Sequence, residues 1–248
     1  MTAPTPDPVA AHAAAQGAAT PDAPAAECAR CPRLAAFRAD NRGLHPGWHN
    51  APVPSFGEID ASLLIVGLAP GLRGANRTGR PFTGDFAGDL LYATLIRHGF
   101  AIGGYGREAD DGLRLVGCRI TNAVRCVPPG NRPLPDEVRT CGSHLHAEIA
   151  AMPGLRAILA LGAIAHRAVL AALGTAPGRF SFAHGALHYL PNGPLLADSY
   201  HCSRQNTNTG RLTPAMFDAV FARLAALLMP APGTSPPMAP DGSAADRI

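Results

Sequence analysis

Residues 62–85 read SLLIVGLAPGLRGANRTGRPFTGD, and the character of the chain changes in the middle of that stretch. Residues 62–67 form a short apolar run, the composition of a strand buried on both faces of a parallel sheet. Residues 67–85 are the opposite: five glycines, two prolines, three arginines and an aspartate, with little to bury. A buried strand that opens into a long polar loop points to a parallel α/β sheet, whose ligands sit beyond the carboxyl ends of the strands. The glycines allow the backbone close to a ligand. On composition alone the segment is equally well a surface loop. It fits neither the G-x-G-x-x-G dinucleotide fingerprint nor the G-x-x-x-x-G-K-[ST] phosphate loop.

The same pattern recurs outward from this stretch. Three further apolar runs, 118–124, 157–161 and 195–200, read as strands, and helical patterns cover 85–99, 135–152, 163–173 and 213–228. Pro135 with Asp136 and Glu137 suits a helical first turn, as does Thr213 followed by Pro214. Strand and helix alternate four times, which predicts a three-layer α/β domain with a mostly parallel sheet over 27–229. Residues 1–26 and 230–248 are rich in Ala and Pro and are expected to be disordered tails.

Composition narrows the classes. At 248 residues with 47 % hydrophobic content, one sizeable core is possible. Net charge of +3 excludes a strongly basic nucleic-acid coat but not an enzyme touching nucleic acid through a short basic strip. No run of about 20 apolar residues exists, so no membrane span is expected, nor a secretory signal. Six cysteines are too few for a secreted disulfide scaffold, and a reducing compartment is expected.

Polar segments follow other strands too. Asn122 lies near the end of the second run, ahead of Arg125, Cys126 and PPGNRPLP; His201 follows the fourth, ahead of CSRQNTNTGRLT. A lone Asn there is usually a turn former and a lone His usually structural, but three polar loops leaving one sheet edge together mark a site. Amide, hydroxyl and Arg donors of this kind hold phosphates. Cys28 and Cys31 make a C-x2-C pair, and Cys126 and Cys141 complete a set of four thiols. Their spacing leaves zinc and an iron–sulfur cluster equally open, and Cys126 could also be a small buried hydrophobe. Cys118 reads as core filler and Cys202 as an inward-facing loop residue.

The segments GLAPGLRGANRTGRPFTGD, ITNAVRCVPPGNRPLP and HCSRQNTNTGRLT resemble the family 5 (type B) uracil-DNA glycosylases, from about residue 28 to 228. The resemblance implies an α/β/α sandwich around a four-stranded, mostly parallel sheet. It implies a monofunctional DNA repair enzyme that hydrolyses the N-glycosidic bond of uracil, with hypoxanthine and xanthine as further bases. It also implies a structural [4Fe–4S] cluster on Cys28, Cys31, Cys126 and Cys141. Expected partners are uracil-containing DNA and no membrane, with the chain acting as a cytoplasmic monomer.

Roles follow residue by residue from the same resemblance. Phe82 is expected to stack on the flipped base, Asn122 to read its edge, and Gly67 and Ala69 to border it. Ala69 stands where the best-known branch of the superfamily carries its catalytic carboxylate; in family 5 the water-positioning acid is the one found here as Asp85, with Asp89 in reserve. Asp85 also suits the N-cap of the helix that follows, and Phe82 could instead anchor the loop. His201 is expected to stabilise the leaving base. Arg77 and Arg80 are expected to add charge at the pocket mouth. Ser203, Gln205, Asn206, Arg211 and Thr213 are expected to contact DNA, with Gln205 or Asn206 as the wedge tip. Gly71 and Cys202 depart mildly from the usual residues. Two rivals are a family 4 enzyme, disfavoured by Leu68 where that family has Glu, and a non-catalytic iron–sulfur DNA-binding protein.

Overall fold

A computed structural model describes residues 23–228. The expected tails lie outside the described residues at 1–22 and 229–248; residues 23–26 lead into a turn closed by the Cys28 amide on the Ala25 carbonyl, 2.9 Å. The elements in order are α1 (Pro32–Leu44), β1 (Leu63–Gly67), α2 (Ala75–Thr78), α3 (Phe86–Arg97), β2 (Ala101–Ile102), β3 (Arg114–Leu115), β4 (Cys118–Asn122), α4 (Pro135–Ala150), β5 (Ala157–Leu161), α5 (Ala163–Ala172), β6 (Leu187–Tyr189), β7 (Leu195–Ser199), α6 (Arg204–Asn208) and α7 (Pro214–Leu228).

The four predicted strands are parallel and lie in the order β4-β1-β5-β7. The sheet has a fifth strand that the sequence did not reveal: β6 pairs antiparallel with β7 at the edge. It is three partly exposed residues long, too short to show a period. The β2–β3 pair, two residues each, escaped for the same reason. Helix α1 was also unforeseen: its mean hydropathy is low and its buried face includes Arg38 and Asn41.

Because successive side chains point to opposite faces, β1 feeds two cores. Leu63 and Ile65 pack with Leu91 and Leu95 of α3 and Phe217 and Phe221 of α7. Leu64 and Val66 pack with Leu145 of α4 and with Val169 and Leu170 of α5. These side chains are fully buried, each worth roughly 1.5–3 kcal/mol against exposure. Helix α4 starts as expected, with Pro135 in its first turn and the Glu137 carboxylate accepting the Leu134 amide at 2.7 Å. Glu137 also accepts from Arg33 Nη2 and Nε, at 2.6 and 2.8 Å, tying α1 to α4.

Two buried polar networks brace the sheet. Under β4, Glu148 of α4 is ion-paired to Arg119 and Arg125 and accepts from Thr121; all four residues are almost fully buried. At the other edge each Asp198 oxygen meets a different histidine, His166 of α5 at 2.8 Å and His188 of β6 at 2.9 Å. That second network fastens the short edge strand to β7.

The chain leaves β1 for β4 on one side and later enters β5 on the other. Connections therefore diverge beyond the carboxyl ends of β1 and β5, the place where open α/β sheets leave a crevice.

Candidate functional site

Gly67 is the last residue of β1 and pairs in parallel register with Asn122, the last of β4. A Cβ on Gly67 would stand 2.5 Å from the Phe82 ring and would also overlap the Asn122 side-chain oxygen. The ring and the amide thus converge over one bare α-carbon. Phe82 is buried, in left-handed backbone (φ +54), and its ring faces the His201 imidazole at 5.8 Å between centroids and 27° between planes. Neither the Asn122 amide nor the His201 ring forms a side-chain hydrogen bond to any described residue. Burial pushes the His201 pKa down to about 4, so its ring is neutral at physiological pH. The loop after β7 is held by Asn206, whose amide donates to the His201 carbonyl at 2.8 Å.

Asp85 caps α3: one carboxylate oxygen accepts the Gly88 amide at 3.2 Å. Its other oxygen lies against the turn holding Gly71 and Gly74, where Cβ atoms would stand 2.9 and 2.5 Å away. Burial raises its pKa above the ordinary carboxylate value, while the amides of Gly88 and Ala87 oppose that rise. The cap and an active carboxylate are therefore compatible. Asp89 turns outward into an ion pair with Arg107, at 2.6 and 2.9 Å.

The expected DNA-contacting residues separate into two groups. Arg80 does not charge the pocket mouth: it is 4 % exposed, pairs with Asp111 through both terminal nitrogens at 2.7 and 2.8 Å, and faces the rings of Phe56, Tyr92 and Tyr105. Its partner lies 31 residues along the chain, which no local pattern could reveal. Arg77 is partly exposed and held by Glu108 at 2.9 Å. Ala69 packs toward Leu34, Cys126 and Cys141, on the cysteine side of the loop. Asn206 is turned inward as described, so the exposed Gln205 stands out from α6, whose N-cap is Ser203. Arg211 is exposed and stacks on Tyr200 at 4.7 Å. Thr213 accepts the Met216 amide at 3.2 Å and caps α7.

Cys28, Cys31, Cys126 and Cys141 line one small cavity with Leu34, Val124 and His144. A single zinc with Zn–S bonds of about 2.3 Å would gather four sulfurs to roughly 3.8 Å of one another. Four thiols around one cavity suit either a zinc ion or an iron–sulfur cluster. Two donors already point at sulfur: Arg38 at Cys126 and the Arg125 amide at Cys141, both 3.4 Å. Cys118 and Cys202 are buried elsewhere, in the core beside α3 and α7.

An aromatic ring and an amide over one bare α-carbon, a neutral imidazole facing that ring and a half-buried carboxylate at the head of α3 could together receive a flat, polar ring such as a nucleobase. The chain matches the family model "Uracil DNA glycosylase superfamily" over residues 54–225 and belongs to that superfamily. A type-5 uracil-DNA glycosylase of Thermus thermophilus is 47 % identical over 196 residues, 77 % of this chain and 89 % of the relative. One of Mycobacterium tuberculosis is 46 % identical over 205 residues, 78 % of this chain and 75 % of the relative. A type-4 uracil-DNA glycosylase of Pyrobaculum aerophilum is less similar, 36 % over 148 residues, 59 % of this chain and 61 % of the relative.

Proposed function

We propose that this protein is a monofunctional DNA glycosylase of the type-5 branch, releasing uracil from DNA and leaving an abasic site. The observation that carries the reading is the convergence of Phe82 and Asn122 over Gly67, with His201 facing the Phe82 ring and Asp85 at the head of α3. Similarity to enzymes named type-5 uracil-DNA glycosylase supports it. A base inside a duplex is out of reach, so the nucleotide must swing out, at a cost of a few kcal/mol. Stacking on Phe82 offsets part of that cost. The Asn122 amide donates to uracil O4 and accepts from N3–H; cytosine presents the opposite pattern, so a fixed amide rejects it.

Bond breaking leaves positive charge on the sugar and negative charge on the departing base. Ionised Asp85 orients a water and stabilises the sugar cation. Neutral His201 donates N–H to uracil O2, avoiding the burial of a second charge; preorganised donors of this kind contribute about 10²–10³ in rate. Hypoxanthine and xanthine are further substrates in this reading. Ser203, Gln205 and Arg211 meet the DNA strand, with Gln205 filling the gap left by the flipped base, and Arg77 adds charge nearby. Cys28, Cys31, Cys126 and Cys141 hold a [4Fe–4S] cluster that orders the segment between β4 and α4. One chain supplies every group named, so a monomer suffices, working on DNA in a reducing, cytoplasmic setting.

The test is base release. Purified protein is incubated with a labelled duplex carrying one uracil opposite guanine, then heated in alkali. A strand break only after alkali is the expected result. No break with uracil, hypoxanthine or xanthine, from protein holding its iron, would leave a DNA-binding cluster protein as the better reading.

A further inference from the structure

The loop between β2 and β3 grips the segment that carries Phe82 and Asp85. Arg80 pairs with Asp111 and donates to the Thr83 hydroxyl at 2.7 Å. Arg77 meets Glu108 at the loop's rim, and Asp89 meets Arg107. At the centre of this clasp is Tyr105. Its hydroxyl donates to the Phe82 carbonyl and accepts the Gly84 amide, both at 3.1 Å. Its ring stacks on Tyr92 at 4.6 Å, and the Tyr92 hydroxyl donates to the Pro81 carbonyl at 2.6 Å.

The two Tyr105 bonds bracket Thr83 and fix the peptide groups on both sides of it. They hold the turn in which Phe82 takes its left-handed backbone, a conformation that costs a non-glycine residue on the order of 1 kcal/mol and needs its surroundings to enforce it. Helix α3 makes room for the arrangement. A Cβ on Gly88 would overlap the Phe82 carbonyl and stand 2.5 Å from the Tyr105 hydroxyl. Burial raises the Tyr105 pKa to about 12, so the hydroxyl keeps its proton and can donate and accept at once.

We propose that Tyr105 is a positioning residue of the base pocket: its hydroxyl sets the pose of Phe82, and through Phe82 the affinity for an extruded base. Tyr105 does not reach the base itself. The proposal rests on the uracil reading above and adds to it a residue from outside the three polar strand-end loops.

A double-mutant cycle tests it. Tyr105→Phe removes one oxygen and leaves the ring stack in place. Excision of uracil from a duplex is measured for the parent, Tyr105→Phe, Phe82→Ala and the double variant, with kcat and KM resolved. Tyr105→Phe is expected to lower kcat/KM about tenfold, mainly through KM. In the Phe82→Ala background the same change is expected to have no further effect within about twofold, because the residue acts through the ring. The idea fails if Tyr105→Phe matches the parent, or if its loss recurs in full without the Phe82 ring, as a general loosening of the fold would produce. Gly88→Ala offers a second approach to the same carbonyl and should also raise KM; an unchanged KM counts against the proposal. A parent enzyme that releases no uracil sinks the uracil reading and this inference with it, whereas an active parent with an unaffected Tyr105→Phe sinks this inference alone.

Discussion

Strand β4 carries two buried polar regions a few residues apart, and they are built on opposite terms. Toward its middle, Arg119 and Thr121 join Glu148, Arg125 and Ser55 in a network where every charge has a partner. At its end, Asn122 presents an amide with no side-chain partner among the described residues, beside the Phe82 ring, which in turn faces a neutral imidazole. Satisfied buried networks hold a fold together; buried polar groups left unsatisfied lower stability and persist where a ligand completes them.

The largest effect on stability should come from breaking the first region. Glu148→Gln removes the charge that two buried guanidiniums share, and should cost about 3–5 kcal/mol in denaturant unfolding. A loss under about 1 kcal/mol would mean that the network is not what braces α4 against the sheet. Asn122→Ala should invert the pattern. Stability should stay within about 1 kcal/mol, because no protein partner is lost, while uracil excision should fall by about 10²–10³. An activity loss matched by an equal stability loss would erase the distinction drawn here.

Acid sharpens the comparison further. Burial works against the Glu148 charge, but Arg125 and Arg119 outweigh it and hold its pKa below the ordinary value. That contribution is complete above the unfolded-state pKa near 4.5 and is lost as pH falls through the lowered folded value. His201 acts in the same direction by another route: it stays neutral when folded to about pH 4, whereas the unfolded chain takes up a proton below about 6.5. Stability should therefore decline from pH 6.5 toward 4, and His201→Gln should flatten that limb in an unfolding series. Activity should fall in acid at a pKa above the ordinary 3.8 of Asp85, with no inflection near 6.5 from His201. The smallest effect belongs at the rim. Arg211→Ala should weaken DNA binding a fewfold and lower the salt slope of log Kd by about one.

Much of this was legible in the chain. Four apolar runs announced the parallel strands, and Asp85, ahead of a helical pattern, suited the N-cap it forms, whereas its role as the active acid came only from the family resemblance. What was not legible depended on distance. Arg80 reads as a pocket-mouth charge until Asp111 folds onto it, and Tyr105 sits in a glycine-rich stretch that looks like an unremarkable loop. Asn206 looked like a wedge until its amide turned back to the His201 carbonyl. Strand β6 is three residues long, and His188 within it gains meaning only beside Asp198. Each of these fates is set by a tertiary partner, to which local periodicity is blind.

The most direct test of the account is Asp85→Asn, assayed for base release and for binding to a uracil-containing duplex. Asparagine is as good an N-cap as aspartate, so α3 keeps its start and the fold is spared. The carboxylate charge alone is removed. The account predicts an unchanged Kd and melting temperature with excision reduced by about 10³-fold. A variant that releases uracil as fast as its parent would contradict the role given to Asp85, and with it the claim that the half-buried acid at the head of α3 does the chemistry.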